Sequence, residues 1–315
     1  MRSASARTAS AALQRGERWR RAKRMRLLYL ALLPGVALLF VFNYLPIYGI
    51  IAAFKDYRFG LGLWGSEWND FHHFKILFGH PFFWRIFRNT VIISVQRIAF
   101  GFPAPIVLAL LINELANQKF KRVVQSVSYL PHFFSWVVLA GILVEILSPQ
   151  RGIVGYLYGL VGQPAPLLLT DPGLFRPMLV ATGIWQEVGW GSVIYLAAMA
   201  AIDPELYETG RIDGADRLQQ AVHITLPSLL PVVTILFILR LGNVLNAGFD
   251  QIFNLYSPLV YEVADIIDTY VYRQGIIERQ YGFTTAVGLF KNAIGVALIV
   301  GSNSVIKRYS EYGLW

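Results

Sequence analysis

The chain has 315 residues, of which 55% are hydrophobic and only 15% charged. Soluble domains carry about 25% charge, so this composition argues against a soluble enzyme, a disordered chain or a coiled coil and points to a membrane protein. Cysteine is absent, which excludes disulfides, thiolate metal sites and a cysteine nucleophile, and the net charge of +9 is unevenly placed.

Residues 1–26 carry Arg2, Arg7, Arg15, Arg18, Arg20, Arg21, Lys23, Arg24 and Arg26 against one acid, Glu17. A basic run before an apolar one suits a nucleic-acid arm or the leading part of a signal peptide. The apolar stretch that follows, Leu27 to about Phe54, is too long for a signal core and offers no convincing small-residue cleavage site. It reads as an uncleaved first span. The basic tail then serves as a topology signal, with no nucleic-acid partner. Arg20-Arg21 lacks the rest of a twin-arginine export signal.

Five further apolar stretches follow, at about 86–112, 123–147, 175–201, 228–253 and 284–306. Each is near the roughly 20 residues that cross a bilayer. Pro34, Pro46, Pro103, Pro105 and Pro231 lie in or at the ends of spans, where neighbouring helices satisfy the freed carbonyls. The expected fold is therefore an all-α membrane protein with six transmembrane helices over 27–306. With the N-terminus inside, segments 1–26, 113–122, 202–227 and 307–315 hold sixteen basic residues and the outer loops hold seven. The basic residues thus place both termini in the cytoplasm. The outer loop 55–85 is rich in Trp and Phe. His72, His73 and His80 lie in it without the spacing or acidic neighbours of a metal site, so interfacial aromatic packing is the better reading.

Segment 202–227 is the longest polar stretch on the expected cytoplasmic side. Asp203 suits an N-cap, Pro204 the first helical position and Glu205 the first turn, which predicts a short helix to about Ile212. Gly214 permits a sharp bend. A second helix is expected from near Ala215 to Leu226, with Pro227 at the start of span five. Leu206, Gly210 and the Ile212–Ala215 elbow could present a small apolar surface with acidic edges. The alternative is an amphipathic loop lying on lipid headgroups.

Glu208-Thr209-Gly210, three residues, Gly214, nine residues, then Ile224-Thr225-Leu226-Pro227 resembles the cytoplasmic signature of permease subunits in bacterial ATP-binding-cassette importers. That signature reads Glu-Ala-Ala, three residues, Gly, nine residues, Ile-x-Leu-Pro. Here Thr209 and Gly210 replace the two alanines. Arg211-Ile212-Asp213-Gly214-Ala215 looks like the carbohydrate-uptake branch. Leu33-Pro34-Gly35, Asn43-Tyr44-Leu45-Pro46, Tyr129-Leu130-Pro131 and Lys307 to Trp315 look like permeases for oligosaccharides or polysaccharide fragments. The resemblance covers nearly all of the chain beyond its first 20 or so residues.

The resemblance implies the type I importer permease fold in the bacterial cytoplasmic (inner) membrane, with no catalysis by the chain itself. It implies a coupling loop, with Glu208, Asp213, Gly214, Ala215, Ile224, Leu226 and Pro227 as its residues, seated in a cleft of a separate ATPase. It also implies a second permease, expected to be a different chain, two ATPases, an extracytoplasmic solute-binding protein and a saccharide substrate. The sequence contains no G-x-x-x-x-G-K-[ST] phosphate loop, so ATP and Mg are expected on the partner and no cofactor on this chain.

Ionisable groups inside spans are costly and mark candidate pathways. They are Arg97, Glu187, Arg240 and Lys291, with Glu145 and Asp250 nearer the ends. At helical spacing Arg240, Asn243, Asn246 and Asp250 form one polar stripe on span five. Trp185, Glu187, Trp190 and Tyr195 on span four add flat rings that can stack on sugars. Glu187 could instead pair with Arg240, Arg97 or Lys291 to hold the bundle, and Trp136 reads as packing. Two other functions stay open. One is import of a non-sugar solute such as a peptide. The other is a membrane glycosyltransferase-like enzyme, for which Asp203, Glu205, Glu208, Asp213 and Asp216 are the one acidic cluster, without D-x-D spacing.

Overall fold

The computed structural model describes residues 25–309. Among these every regular element is helical, apart from one isolated antiparallel bridge between Lys55 and Trp68. Residues 1–24 and 310–315, and with them most of the expected tails, lie outside the described residues. The chain divides after Asp70 into two compact units.

The first unit contains the first predicted span. Helix α1 (Arg26–Leu39) continues as a π-helix over Phe40–Tyr44 and a 3₁₀ segment over Leu45–Phe54. The widening has a local cause. Pro46 has no N–H to donate and its ring presses on the carbonyl four residues back. One turn earlier the chain shifts register, so that the Leu45 N–H donates to the Phe40 carbonyl. Beyond the rod, the Lys55 ammonium donates to the Leu63 carbonyl at 2.8 Å and lies over the Trp68 ring. The short helix α2 (Gly62–Gly65) is closed by Ser66, whose Oγ donates to the Gly62 carbonyl at 2.7 Å and accepts from the Arg58 N–H.

The second unit begins with α3 (His72–Gly79) and α4 (Pro81–Gly101). His80 caps α4 through Nδ1, which accepts from the Phe82 N–H at 3.2 Å. Phe78, Phe83 and Phe87 surround Phe290. Helix α5 (Pro103–Asn113) continues the line of α4 past Pro103. Then come α6 (Gln118–Tyr129), capped by Asn117, a 3₁₀ turn over Leu130–Phe133, α7 (Trp136–Leu147) and α8 (Ile153–Leu160).

The third predicted span is therefore not straight. Its two halves meet at 107°. Pro131 cannot continue the hydrogen-bond ladder, and Phe134 and Ser135 adopt extended backbone.

Helix α9 (Pro172–Ala200) is the axis of this unit and packs against α4, α5, α6 and the turn at Leu130–Phe133. Gly189 leaves no room for a Cβ against the Ser128 carbonyl, and Gly191 would bring a Cβ to 2.9 Å from the Pro105 ring. These two glycines let α5 and α6 approach the α9 backbone. Four helices among the described residues are long and apolar enough to cross a membrane, or five if the bent pair is one span. Helix α9, the fourth predicted span, is not one of them although its 29 residues reach about 44 Å. It carries Arg176, Gln186 and Glu187, and its neighbours take up part of that polarity. Arg176 donates to the Val263 carbonyl and to Asn89.

The fifth predicted span also differs. Helix α10 (Pro204–Ile212) is followed by α11 (Arg217–Gln220), a π-turn over Ala221–Thr225 and α12 (Leu226–Gly242). The last three run as one apolar helix, Arg217–Gly242. Pro227 therefore does not separate two elements. The π-turn before it absorbs the proline as it does before Pro46. At the other end the helix stops at Gly242, not Phe253, and a new helix α13 (Phe249–Leu255) starts after Gly248 at φ +90°.

Helices α14 (Tyr261–Ala264) and α15 (Ile267–Tyr272) and a π-turn over Arg273–Ile277 lead to α16 (Tyr281–Tyr309). Residues 307–309 thus continue the last helix.

One core joins Ile93, Phe175, Leu179, Ile252 and Ile266, and another joins Leu77, Phe83, Ile86, Ile267 and Phe283. Beside them Asp265, buried, accepts from Arg273 through both carboxylate oxygens, at 2.9 Å and 2.5 Å, and from Thr269 Oγ1 at 2.6 Å. Burial pulls the Arg273 guanidinium down, but the hydrogen bonds and charge of Asp265 outweigh it and hold it above its ordinary value. Removing one partner of a buried pair strands the other charge. Asp265→Ala is therefore expected to cost about 3–5 kcal/mol, read as a lower thermal unfolding midpoint in detergent. An unchanged midpoint would show that the clamp does not hold this unit together.

Candidate functional site

Two places carry the candidate residues, the elbow after α10 and a cavity among the apolar helices. At the elbow Asp203 Oδ1 accepts from the Glu205 N–H at 3.0 Å, capping α10 as its residue type predicts. At the far end the Gly214 N–H donates to the Arg211 carbonyl at 3.1 Å, and the Ala215 N–H to the Gly210 carbonyl at 2.8 Å. This six-to-one and five-to-two pair is a Schellman closure, and it needs a left-handed residue at Gly214, whose φ is +80°. The next helix starts at once on a capping box, in which Asp216 Oδ1 accepts from the Gln219 N–H and Gln219 Oε1 from the Asp216 N–H, both at 2.8 Å.

Three contacts fix the angle between α10 and the helix after it. Tyr207 Oη and Thr225 Oγ1 share a hydrogen bond at 2.9 Å. Gln220 Nε2 donates to the Ala215 carbonyl at 2.9 Å. A Cβ on Gly210 would stand 3.0 Å from Ile224 Cδ1, so glycine in place of the signature's alanine lets the two segments close up. Gly210, Gly214, Ala215 and Ile224 line an open groove of about 540 Å³. Around it Leu206, Ile212, Leu218 and Val222 are exposed. Glu208 is exposed and forms no ion pair among the described residues. Asp213 caps the C-terminus of α10, and Leu226 and Pro227 open α12.

The intramembrane candidates fall into separate places. A cavity of about 170 Å³ is lined by Arg97, Trp136, Gln186, Glu187 and Arg240 among others. Trp136, expected to be packing alone, both lines this cavity and packs on the first core. Glu187 meets none of the three cations proposed for it from sequence. Its Oε1 lies 3.8 Å from His132 Nδ1. Lys291 instead pairs with Asp268. With Asn246, Phe249, Tyr272 and Tyr281 they line a second cavity of about 550 Å³. The stripe on span five is broken. Asn243 caps the end of α12, its Oδ1 accepts from Asn246 at 3.0 Å, and Asp250 belongs to α13. Trp190 stacks flat on His132 at 4.9 Å, and Trp185 is half exposed. Tyr195 is buried in a core with Ala109, Met199 and Leu229, away from both cavities.

Residues 101–309, which include the elbow and both helices that close it, match the family described as binding-protein-dependent transport system inner membrane component. The chain belongs to that family. It is a transport component of the inner membrane, not an enzyme.

The chain is 43% identical to Protein LplB of Bacillus subtilis (strain 168), over 93% of this chain and 92% of that protein. It is 41% identical to the polygalacturonan/rhamnogalacturonan transport system permease protein YteP of the same organism, over 91% and 90%. Among solved structures, a bacterial ABC transporter involved in the import of the acidic polysaccharide alginate aligns with a TM-score of 0.85 at 40% identity. The alignment covers 92% of this chain and 98% of that one. The same kind of transporter in complex with an alginate pentasaccharide-bound periplasmic protein aligns with a TM-score of 0.86 over 94% and 99%. These matches establish the type I importer permease fold.

Sequence reasoning did not single out His132, Gln251 or Gly248. Gln251 carried a signal, as an amide within a stretch read as a continuous apolar span. Gly248 carried none, because its left-handed backbone follows from the break after Gly242.

The Schellman closure makes Gly214 sensitive to any β-branched side chain. Gly214→Val is expected to cost about 1–2 kcal/mol locally and to loosen the elbow. Limited trypsinolysis should then cleave after Arg211 and Arg217 several-fold faster than in the wild type, and equal rates would contradict the closure.

Proposed function

We propose that this chain is the permease subunit of an ATP-binding-cassette importer for a saccharide, and that the elbow between α10 and α11 is its docking point for a separate ATPase. The observation that carries this reading is the elbow itself. It combines a hydrogen-bonded closure at Gly214, an exposed apolar rim and a carboxylate at Glu208 without an ion pair among the described residues, followed without interruption by a helix long and apolar enough to cross a membrane. An apolar rim with a charge at its edge is what an intermittent protein partner requires. A loop lying on headgroups would not need the tight packing of Gly210 on Ile224.

In this proposal the chain has six crossings, with α6 to α7 as a bent third and α9 as a polar fourth shielded by its neighbours. Residues 1–26 and 307–315 are cytoplasmic, 27–306 form the permease domain, and 202–227 form the coupling loop. A second permease, two ATPases and an extracytoplasmic solute-binding protein complete the transporter. ATP and Mg are held by the ATPases, and this chain holds no cofactor. The relatives named for polygalacturonan and alginate support a saccharide cargo rather than a peptide.

The absence of cysteine makes topology directly testable. Single cysteines at Thr209 and Gly60 are expected to react with a membrane-impermeant thiol reagent from the inner and outer side respectively. Reaction at Thr209 from outside would overturn the coupling role. With topology established, Glu208→Arg and Ile212→Asp are each expected to leave the protein in the membrane, lower co-purification of the ATPase at least tenfold and abolish transport-stimulated ATP hydrolysis. Wild-type hydrolysis in both variants would refute the docking surface.

A further inference from the structure

The small cavity between α4, α7, α9 and α12 holds an imbalance of charge. Arg97 and Arg240 line it with one carboxylate, Glu187. Glu187 is turned toward His132. Neither arginine forms an ion pair with a carboxylate among the described residues. A cation among apolar helices is costly unless an anion or a dipole answers it.

The Arg97 guanidinium is held in place. Its Nη2 donates to Gln251 Oε1. Gln251 is wholly buried and is itself fixed, its Nε2 donating to the Leu179 carbonyl at 2.9 Å and to Thr182 Oγ1 at 2.7 Å. Gly248 leaves no room for a Cβ beside the guanidinium. Donors are left over: Arg97 Nε is buried and has no hydrogen-bond partner among the described residues. No carboxylate forms an ion pair with the arginine among the described residues, and Glu187 answers it only from across the cavity. Gln251 positions it and supplies only a dipole. A planar guanidinium with a spare donor suits a carboxylate, which accepts two parallel N–H bonds.

We infer that Arg97, positioned by Gln251 and assisted by Arg240, is the specificity-determining residue for a saccharide carrying carboxylate groups. The cavity takes a uronate carboxylate as the cargo passes. This rests on the saccharide reading above and deepens it. Trp136 on the cavity wall offers a flat face to the ring that bears the carboxylate. Glu187, on the same wall, repels a second anion and limits how tightly the first is held, which a transport pathway needs.

The test uses the complete transporter, with its second permease, ATPases and binding protein, reconstituted in proteoliposomes. The probes are a trigalacturonate and the same trisaccharide reduced at its carboxyl groups. The wild type is expected to take up the uronate at least tenfold faster than the neutral sugar. Arg97→Gln should reduce that preference at least tenfold, mainly by slowing uronate uptake. Gln251→Leu should lower the preference in the same direction, and Arg97→Lys should restore part of it. An active Arg97→Gln transporter with unchanged preference, or a wild type that takes both sugars equally, would overturn the assignment. If Arg97→Gln does not assemble, Arg240→Gln on the exposed side of the cavity decides the matter, retained preference being the overturning result. If the wild type moves neither trisaccharide, the saccharide reading fails rather than the role of the arginine.

Discussion

A backbone amide or carbonyl left unpaired in hydrocarbon costs several kcal/mol, so where this chain breaks a helix it must find a new partner for each group it frees. Pro46 and Pro227 are each preceded by a π-turn in which an N–H reaches five residues back. Pro131 is answered by a 3₁₀ turn and a change of direction. At Gly214 the freed carbonyls are taken by the Schellman pair. The interruptions are thus built features, and the candidate sites lie beside them: the elbow at Gly214, and Arg97 against Gly248.

The same constraint explains how a helix as polar as α9 can stand at the centre of the bundle. Lipid would reject Arg176, Gln186 and Glu187, but neighbouring segments bring the Val263 carbonyl, the Phe134 carbonyl and the His132 imidazole to them in turn. Gly189 and Gly191 let α6 and α5 pack closely on the same helix. Polarity and small residues on one helix are two parts of one arrangement.

The helical run Arg217–Gly242 joins the elbow to the cavity. The elbow closes onto this helix through Tyr207, Gly210 and Gln220, and the helix ends beside the cavity, with Arg240 on its wall. The 26 residues span about 39 Å as a continuous helical run, with a π-turn over Ala221–Thr225 and Pro231 inside it.

Much of the elbow was legible in the residues themselves. Asp203, Pro204 and Glu205 start a helix and Gly214 ends it, because caps and left-handed turns depend on side chains within a few positions of one another. The membrane character and the apolar stretches were equally local properties. What depends on distant contacts was not legible. The end of α12 at Gly242 split the polar stripe of Arg240, Asn243, Asn246 and Asp250. Glu187 found His132 rather than an arginine, and Lys291 found Asp268. Tyr195 turned into a core. The sequence by itself determined the all-helical, apolar character of the chain and the start and end of α10, since propensity and caps are settled within one or two turns. Only the tertiary structure decided which buried charges meet, since that depends on the packing of helices more than a hundred residues apart, such as the one that brings Gln251 to Arg97.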